Sequence, residues 1–207
     1  DYAERYVPYM IRKLREFGKN FEDCSVLDIG CGGGPLAASF LLNRQASKNG
    51  VGLYTGFDIR GDLIEWLSDA YASHPFIEFR KVPASADVDY LEALKSKHGT
   101  THSSDGAEAK LSVEEEAYDF QWSSSLFTHL TPTSCVNMLK SIAKASKKDA
   151  IHFNTWLIID RESRYTLQAG IADRKLPFDM GDFLTYLELN PLVCTAYKEE
   201  CLLSYYE

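Results

Sequence analysis

Short apolar runs rich in β-branched residues alternate along the chain with longer stretches whose apolar positions recur every three or four residues, the pattern of stacked βα units. Val7, Met10, Ile11, Leu14 and Phe17 share a helical face between Tyr6 and Phe17, and Gly18 ends that helix. Ser25 to Gly30 predicts a buried first strand, followed by a glycine cluster from Gly30 to Gly34 and a helix through Leu36, Phe40 and Leu41. Leu53 to Asp58 predicts a second strand with a helix through Leu63, Ile64 and Leu67. Phe76 to Val82 predicts a third, with a helix through Leu91 and Leu94. Lys95 to Glu116 breaks the rhythm: it is built from Ser, Thr, Gly and charge with little to bury, and predicts a mobile surface loop or a lid.

Beyond that loop, Tyr118 to Trp122 reads as a fourth strand and Ser134 to Ala145 as a helix entered at Thr131-Pro132-Thr133. Ala150 to Ile159 reads as a fifth strand, and Arg161 to Asp182 shows no period. Phe183 to Leu189 looks helical and is broken by Asn190-Pro191. Leu192 to Tyr197 and Cys201 to Tyr206, separated by Lys198-Glu199-Glu200, predict a terminal antiparallel hairpin. No internal repeat is present.

Length and composition narrow the class. The 207 residues are 45% hydrophobic and 25% charged, enough to bury a sizeable core, which excludes general disorder and suits a single domain over 1–207. Lys and Arg total 22 against 30 Asp and Glu, a net charge of -8, which argues against a protein that grips nucleic-acid phosphates. The five cysteines form no C-x-x-C pair and do not combine with the five histidines at zinc-ligand spacing, so reduced thiols in a cytoplasmic compartment and no metal are expected. The sequence opens Asp1-Tyr2-Ala3-Glu4-Arg5 without an initiator Met or an apolar leader, which predicts a chain trimmed at its start. No apolar run approaches the roughly 20 residues that span a bilayer, so no membrane is expected.

The chemistry concentrates in Asp28-Ile29-Gly30-Cys31-Gly32-Gly33-Gly34-Pro35, between a strand and a helix. Glycines there let the backbone turn tightly and let a ligand approach without meeting a Cβ. In an open parallel sheet that place is the crevice at the carboxyl ends of the strands. A dinucleotide fingerprint needs G-x-G-x-x-G, whereas this loop reads G-x-G-G-G-P with an acid two residues ahead of it. A carboxylate is wrong for cradling a pyrophosphate and right for meeting a cation.

This D-x-G-x-G-x-G stretch resembles the first motif of the class I S-adenosylmethionine-dependent methyltransferases. Asp58, which closes Gly56-Phe57-Asp58-Ile59, matches the acid that in that family accepts both ribose hydroxyls. The resemblance covers about Val26 to Asp160 by motif. It implies S-adenosyl-L-methionine as cofactor, held by Asp28, Gly30, Gly32, Gly34 and Asp58. The family often has an Asp just after the third strand, near the adenine; here Lys81-Val82-Pro83-Ala84-Ser85-Ala86-Asp87 departs from that pattern. Ala84 through its backbone N–H and Ser85 through its hydroxyl, or Asp87, would meet the adenine instead.

After the fourth strand, Ser123-Ser124-Ser125-Leu126-Phe127-Thr128-His129-Leu130 is similar to small-molecule methyltransferases, including domains attached to saccharide-biosynthesis enzymes. The resemblance sets Ser123 and Ser124 along the methionine part of the cofactor and Phe127 over it, where a ring face favours a sulfonium; plain core packing is the alternative for Phe127. The N/D-P-P-Y signature of nucleic-acid amino-methylating enzymes is absent at this place. His129 is the first candidate for a base, with a packing histidine as the alternative. His152 and Asn154 alternate onto one strand face, while His74, His98 and His102 read as surface or loop positions. Asp160, Arg161, Arg164, Tyr165, Arg174, Phe178 and Asp179 offer charge and aromatic surface for a polar acceptor, or simply a solvated connection.

The expected fold is therefore a three-layer Rossmann-like α/β sandwich, with a seven-stranded, mostly parallel sheet and a C-terminal antiparallel hairpin. The expected activity is methyl transfer to a small-molecule acceptor, an oxygen nucleophile such as a saccharide before nitrogen or carbon. A cofactor-binding scaffold, a protein methyltransferase and a nicotinamide oxidoreductase are the competing classes. The oligomeric state is left open.

Overall fold

The computed structural model describes residues 2–47, 50–82, 113–189 and 191–206, with side chains from Tyr6 onward. Ala84, Ser85, Asp87, His98, His102 and the helix expected through Leu91 and Leu94 lie outside the described residues. So does the Lys95 to Glu116 loop apart from its last four positions. The described residues fall into two compact units, the first drawn from Asp1–Val82, Ser112–Ser124 and Ile142–Asn154, the second from Pro83–Leu111, Ser125–Ser141 and Thr155–Glu207.

In the first unit, strand β1 (Val26–Ile29) is buried at every position, as a strand with neighbours on both sides and cover on both faces must be. Beside it run β2 (Tyr54–Asp58) and β3 (Ile77–Lys81) on one flank, β4 (Tyr118–Ser123) and β5 (Ser146–Asn154) on the other. All pair in parallel, in the order β3-β2-β1-β4-β5. The chain reverses its direction across the sheet between β1 and β4, and an open parallel sheet has its ligand crevice at that switch point, beyond the strands' carboxyl ends. Helices α1 (Tyr2–Glu16), α2 (Pro35–Ala46) and α3 (Gly61–Ala70) cover one face. Their Met10, Leu14, Phe40 and Leu67 share a core with Val26, Tyr54, Phe120 and Trp122 of the strands.

Helix α4 (Pro132–Ala145) runs directly into β5. The pairing of β5 with β4 jumps from Ser146 to Ile151 while β4 advances only from Tyr118 to Phe120. Asp149 takes a left-handed φ of 64° in that bulge, and Lys147 from the same excursion reaches Asp119 at 2.8 Å.

The second unit holds a sheet of its own, order β6-β9-β8-β7, from β6 (Ile158–Ile159), β7 (Phe178–Asp179), β8 (Phe183–Thr185) and β9 (Thr195–Lys198). Only β6 and β9 pair in parallel. The expected seven-stranded sheet is thus corrected to a five-stranded parallel sheet plus a four-stranded mixed one. The fifth strand ends at Asn154, and Ile158–Ile159 joins the second sheet instead of prolonging it.

Three further expectations are overturned here. Phe183 to Leu189 begins as a strand, because Phe183 and Thr185 are buried with half-buried Leu184 between them, a period of two. Arg161 to Asp182 is not structureless: α5 (Arg161–Gln168) starts it, under a capping box in which Asp160 Oδ1 accepts the Ser163 N–H at 2.8 Å and Ser163 Oγ accepts the Asp160 N–H at 2.8 Å. The terminal hairpin does not form. β9 pairs antiparallel with β8, and the expected turn at Glu199-Glu200 is the first turn of α6 (Glu199–Ser204), where acidic side chains favour the positive end of a helix.

Candidate functional site

Between β1 and α2, Gly30, Gly32 and Gly34 adopt φ of 76°, 53° and 77°, a region in which any L side chain is strained. Gly34 caps α2, and Pro35 follows at the first helical position, where its missing N–H costs nothing. A Cβ on Gly32 would meet nothing within 4 Å, so this glycine serves the backbone path and leaves the loop open to a ligand. A Cβ on Gly56 of β2 would stand 2.9 Å from Phe79 and 3.1 Å from Cys31 Sγ, so a bare position there lets the loop settle against the sheet.

Two carboxylates flank this loop. Asp58, half-buried at the end of β2, accepts the Gly32 N–H through Oδ2 at 2.8 Å and the Arg60 N–H through Oδ1 at 2.9 Å. It ties the glycine loop to the turn before α3. Asp28 is 2% exposed and accepts the Tyr54 hydroxyl at 2.5 Å. Burial pushes the Asp28 carboxyl up to about 7 and the Asp58 charge adds to this, against the opposing pull of the Tyr54 hydrogen bond. A cation reaching Asp28 would favour its ionised form against the cost of burial.

At the end of β4, Ser123 is fully buried and its hydroxyl donates to Asn154 Oδ1 at 2.7 Å, while Ser124 is half-buried. Gln121, on the same face of β4 as Ser123, is buried with neither amide atom hydrogen-bonded, a feature invisible in the sequence. The His152 ring is held structurally. Ser146 Oγ donates to the Ile142 carbonyl at 2.7 Å and therefore accepts from His152 Nε2 at 2.8 Å, and burial lowers the imidazole's basicity.

In the second unit, a single 3-10 turn (Phe127–His129) carries the next candidates. Phe127 is fully buried and stacks on Trp156 with ring centroids 4.0 Å apart. Ser125, just before the turn, has a left-handed φ of 58°, and its N–H donates to Thr155 Oγ1 at 2.7 Å. His129 Nδ1 lies 2.9 Å from the Leu192 carbonyl, which can only accept, so the ring carries its proton on Nδ1 and the basic lone pair of the neutral imidazole is on Nε2. Of the charges expected to form an acceptor surface, Asp160 caps α5, Arg164 binds Glu200, and Asp179 binds Lys198 at 3.0 Å. Those groups serve the scaffold of this unit. Among the described residues no cluster of three His, Cys, Asp or Glu could hold a metal ion, and no helix is long and apolar enough to cross a membrane.

The model of a family described as a methyltransferase domain matches residues 2–176. The chain belongs to the class I S-adenosylmethionine-dependent methyltransferases. The fold agrees with that of the PH0226 protein from Pyrococcus horikoshii OT3, at a TM-score of 0.59 and 16% identity over 99% of this chain and 79% of that one. Other similar solved structures include a putative sarcosine dimethylglycine methyltransferase from Galdieria sulphuraria, with a TM-score of 0.48 and 14% identity over 72% of this chain and 45% of that one. Coclaurine N-methyltransferase bound to N-methylheliamine and SAH scores 0.42 at 20% identity, over 70% of this chain and 34% of that one. The chain thus spans less than half the length of the last two. In this methyltransferase the glycine loop, Asp28 and Asp58 come together around the carboxyl ends of β1 and β2, and the chemistry of that donor set suits an S-adenosylmethionine: backbone room, an acid for a cation and an acid for a diol.

Proposed function

We propose that this methyltransferase transfers the methyl group of S-adenosyl-L-methionine to a small-molecule acceptor, an oxygen nucleophile such as a saccharide hydroxyl. The observation that carries the cofactor part is the Asp58 carboxylate, fixed by two backbone N–H groups yet half-exposed, with lone pairs left to accept two ribose hydroxyls. Gly30, Gly32 and Gly34 leave room for the ligand, and Asp28 answers the methionine ammonium. Ala84 and Ser85 are assigned to the adenine edge, Ser123 and Ser124 to the methionine side, and Phe127 to the cover over the cofactor. When bound, the sulfonium supplies an activated methyl group.

The protein's own part is to align the acceptor and exclude water, and to take up a proton. An acceptor hydroxyl that took the methyl group, with the sulfur keeping the electron pair of its broken bond to carbon, would lose its proton to a base on the protein. His129 is assigned that base role: the Leu192 carbonyl orients the ring and places the accepting lone pair on Nε2. Reduced thiols and the net charge of -8 favour a cytoplasmic enzyme with neither a nucleic acid nor a membrane as partner. The test is a labelled-methyl transfer assay over panels of hydroxyl, amine and polypeptide acceptors. Transfer confined to hydroxyl compounds supports the assignment; transfer to amines or polypeptides alone contradicts it.

A further inference from the structure

Helix α2 is apolar on two sides. Its inner side buries Leu36, Ala37 and Phe40, whereas its outer side presents Pro35, Ala38 and Leu42 without a charge, Leu42 being 67% exposed. Half-buried Ser39 and Asn43 stand beside these apolar positions. Two grooves flank the outer stripe. One runs between α1 and α2, lined by Pro8, Ile11, Arg12 and Arg15 on the α1 side. The other runs between α2 and α3, where Trp66, 59% exposed, and Ala70 form the far wall. Ala38 and Leu42 line both grooves, so the three helices present one continuous surface.

Among the described side chains, the charges on that surface are sorted. The α1 edge carries exposed Arg12 and Arg15, and the α3 edge carries exposed Glu65 and Asp69. Among the described residues, none of these four takes part in a salt bridge, though the Arg12 guanidinium lies 5.4 Å from the centre of the Tyr9 ring. Other charges on the same helices are already matched: Lys13 with Glu16 at 2.6 Å, and Asp62 with Arg60 at 2.7 Å. The surface therefore runs from a basic edge through an uncharged middle of Pro35, Ala38 and Leu42 with polar Ser39 and Asn43 to an acidic edge.

We propose that this α1–α2–α3 face is a two-fold interface whose partner is a second copy of this chain, with α1 of each copy opposite α3 of the other. A half-turn about an axis running along α2 lays Arg12 and Arg15 against the partner's acidic edge and Leu42 against its own equivalent. A half-turn about an axis crossing α2 would instead set arginine against arginine. Charge thus selects both the partner and the axis. A uniformly acidic or uniformly basic partner would match one edge and repel the other. An apolar centre of Leu and Trp inside a charged rim is also the usual anatomy of a protein interface. This inference stands apart from the methyl-transfer reading and does not need it.

Light scattering or sedimentation equilibrium on the purified chain tests it. The expected mass is twice the 23.4 kDa of one chain. Arg12→Glu with Arg15→Glu, and separately Glu65→Lys with Asp69→Lys, should each give monomers, and mixing the two variants in equal amounts should restore the dimer mass. That rescue shows both variants are folded. Ala38→Cys and Leu42→Cys should each cross-link to themselves on oxidation, under conditions where the unaltered chain does not, because an axis along α2 brings each position against its own copy. A wild-type mass of one chain at about 100 micromolar, charge-reversed variants that remain dimers, or a mixture that stays monomeric would overturn the proposal.

Discussion

Asp58 Oδ2 accepts the backbone N–H of Gly32 at 2.8 Å, so the acid at the end of β2 also holds the middle of the glycine loop. Gly32 sits at a φ of 53°, in the left-handed region that an L side chain enters only with strain. One carboxylate thus shapes the loop and, in the proposed function, recognises the ribose.

Asp58→Ala is therefore expected to lower S-adenosylmethionine affinity by more than a ribose contact alone. Two lost charge-assisted hydrogen bonds of about 1.5 to 3 kcal/mol each correspond to a fall of a hundredfold or more in affinity. Asp58→Asn, which keeps one acceptor oxygen, should fall in between. Titration calorimetry on the two variants checks the order; equal loss in both would separate the loop-bracing role from recognition.

Asp28 gives a pH signature. Its carboxyl is raised by burial from 3.8 to about 7, so the folded chain keeps a proton that the unfolded chain releases between these values. The sign follows: this group's contribution to stability is full below pH 4 and is lost as the pH rises towards 7. Asp28→Asn should abolish that loss, by on the order of 4 kcal/mol at most, and melt above the wild type at pH 8 but near it at pH 4. The same variant should bind the cationic cofactor poorly. Wild-type binding near pH 6.5 should release protons, read as a heat that changes with the buffer's ionisation enthalpy. A buffer-independent heat contradicts the ammonium contact.

Gln121 buries an amide that finds no partner. Gln121→Met, of similar length and apolar, is expected to raise stability by about 1 to 3 kcal/mol, seen as a higher denaturant midpoint. A lower midpoint would mean the amide is satisfied in solution.

His129→Ala should reduce turnover while leaving cofactor affinity within twofold. Unchanged turnover would reduce His129 to a packing role against Leu192.

How far the sequence carried the account depends on the distance over which each feature is decided. The β1 strand, the glycine loop and Asp58 are local: an apolar run, positive-φ glycines and an acid at a strand end state themselves within a few residues. The hydrogen bond from Tyr54 to Asp28 joins residues 26 positions apart on neighbouring strands, and the one from Ser123 to Asn154 joins residues 31 apart. Such pairs exist only once sheet register is set, and the partners could not be read from the sequence, although burial of the first strand could. The misreadings cluster after Asn154. There the strands are two to four residues long, too short for a period to show, and Leu192 to Tyr206 has the same apolar content as a strand or as a helix. The signal for α5 was present in Asp160-Arg161-Glu162-Ser163, a helix-start pattern obscured by the charged residues after it.

The most direct measurement is calorimetric titration of the chain with S-adenosylmethionine, S-adenosylhomocysteine and NAD in parallel, with Asp58→Ala as the matched control. Micromolar binding of both adenosyl ligands to the wild type, a large loss in the variant and no heat from NAD are expected. Binding of NAD alone, or adenosyl binding indifferent to Asp58, would contradict the assignment of the glycine loop.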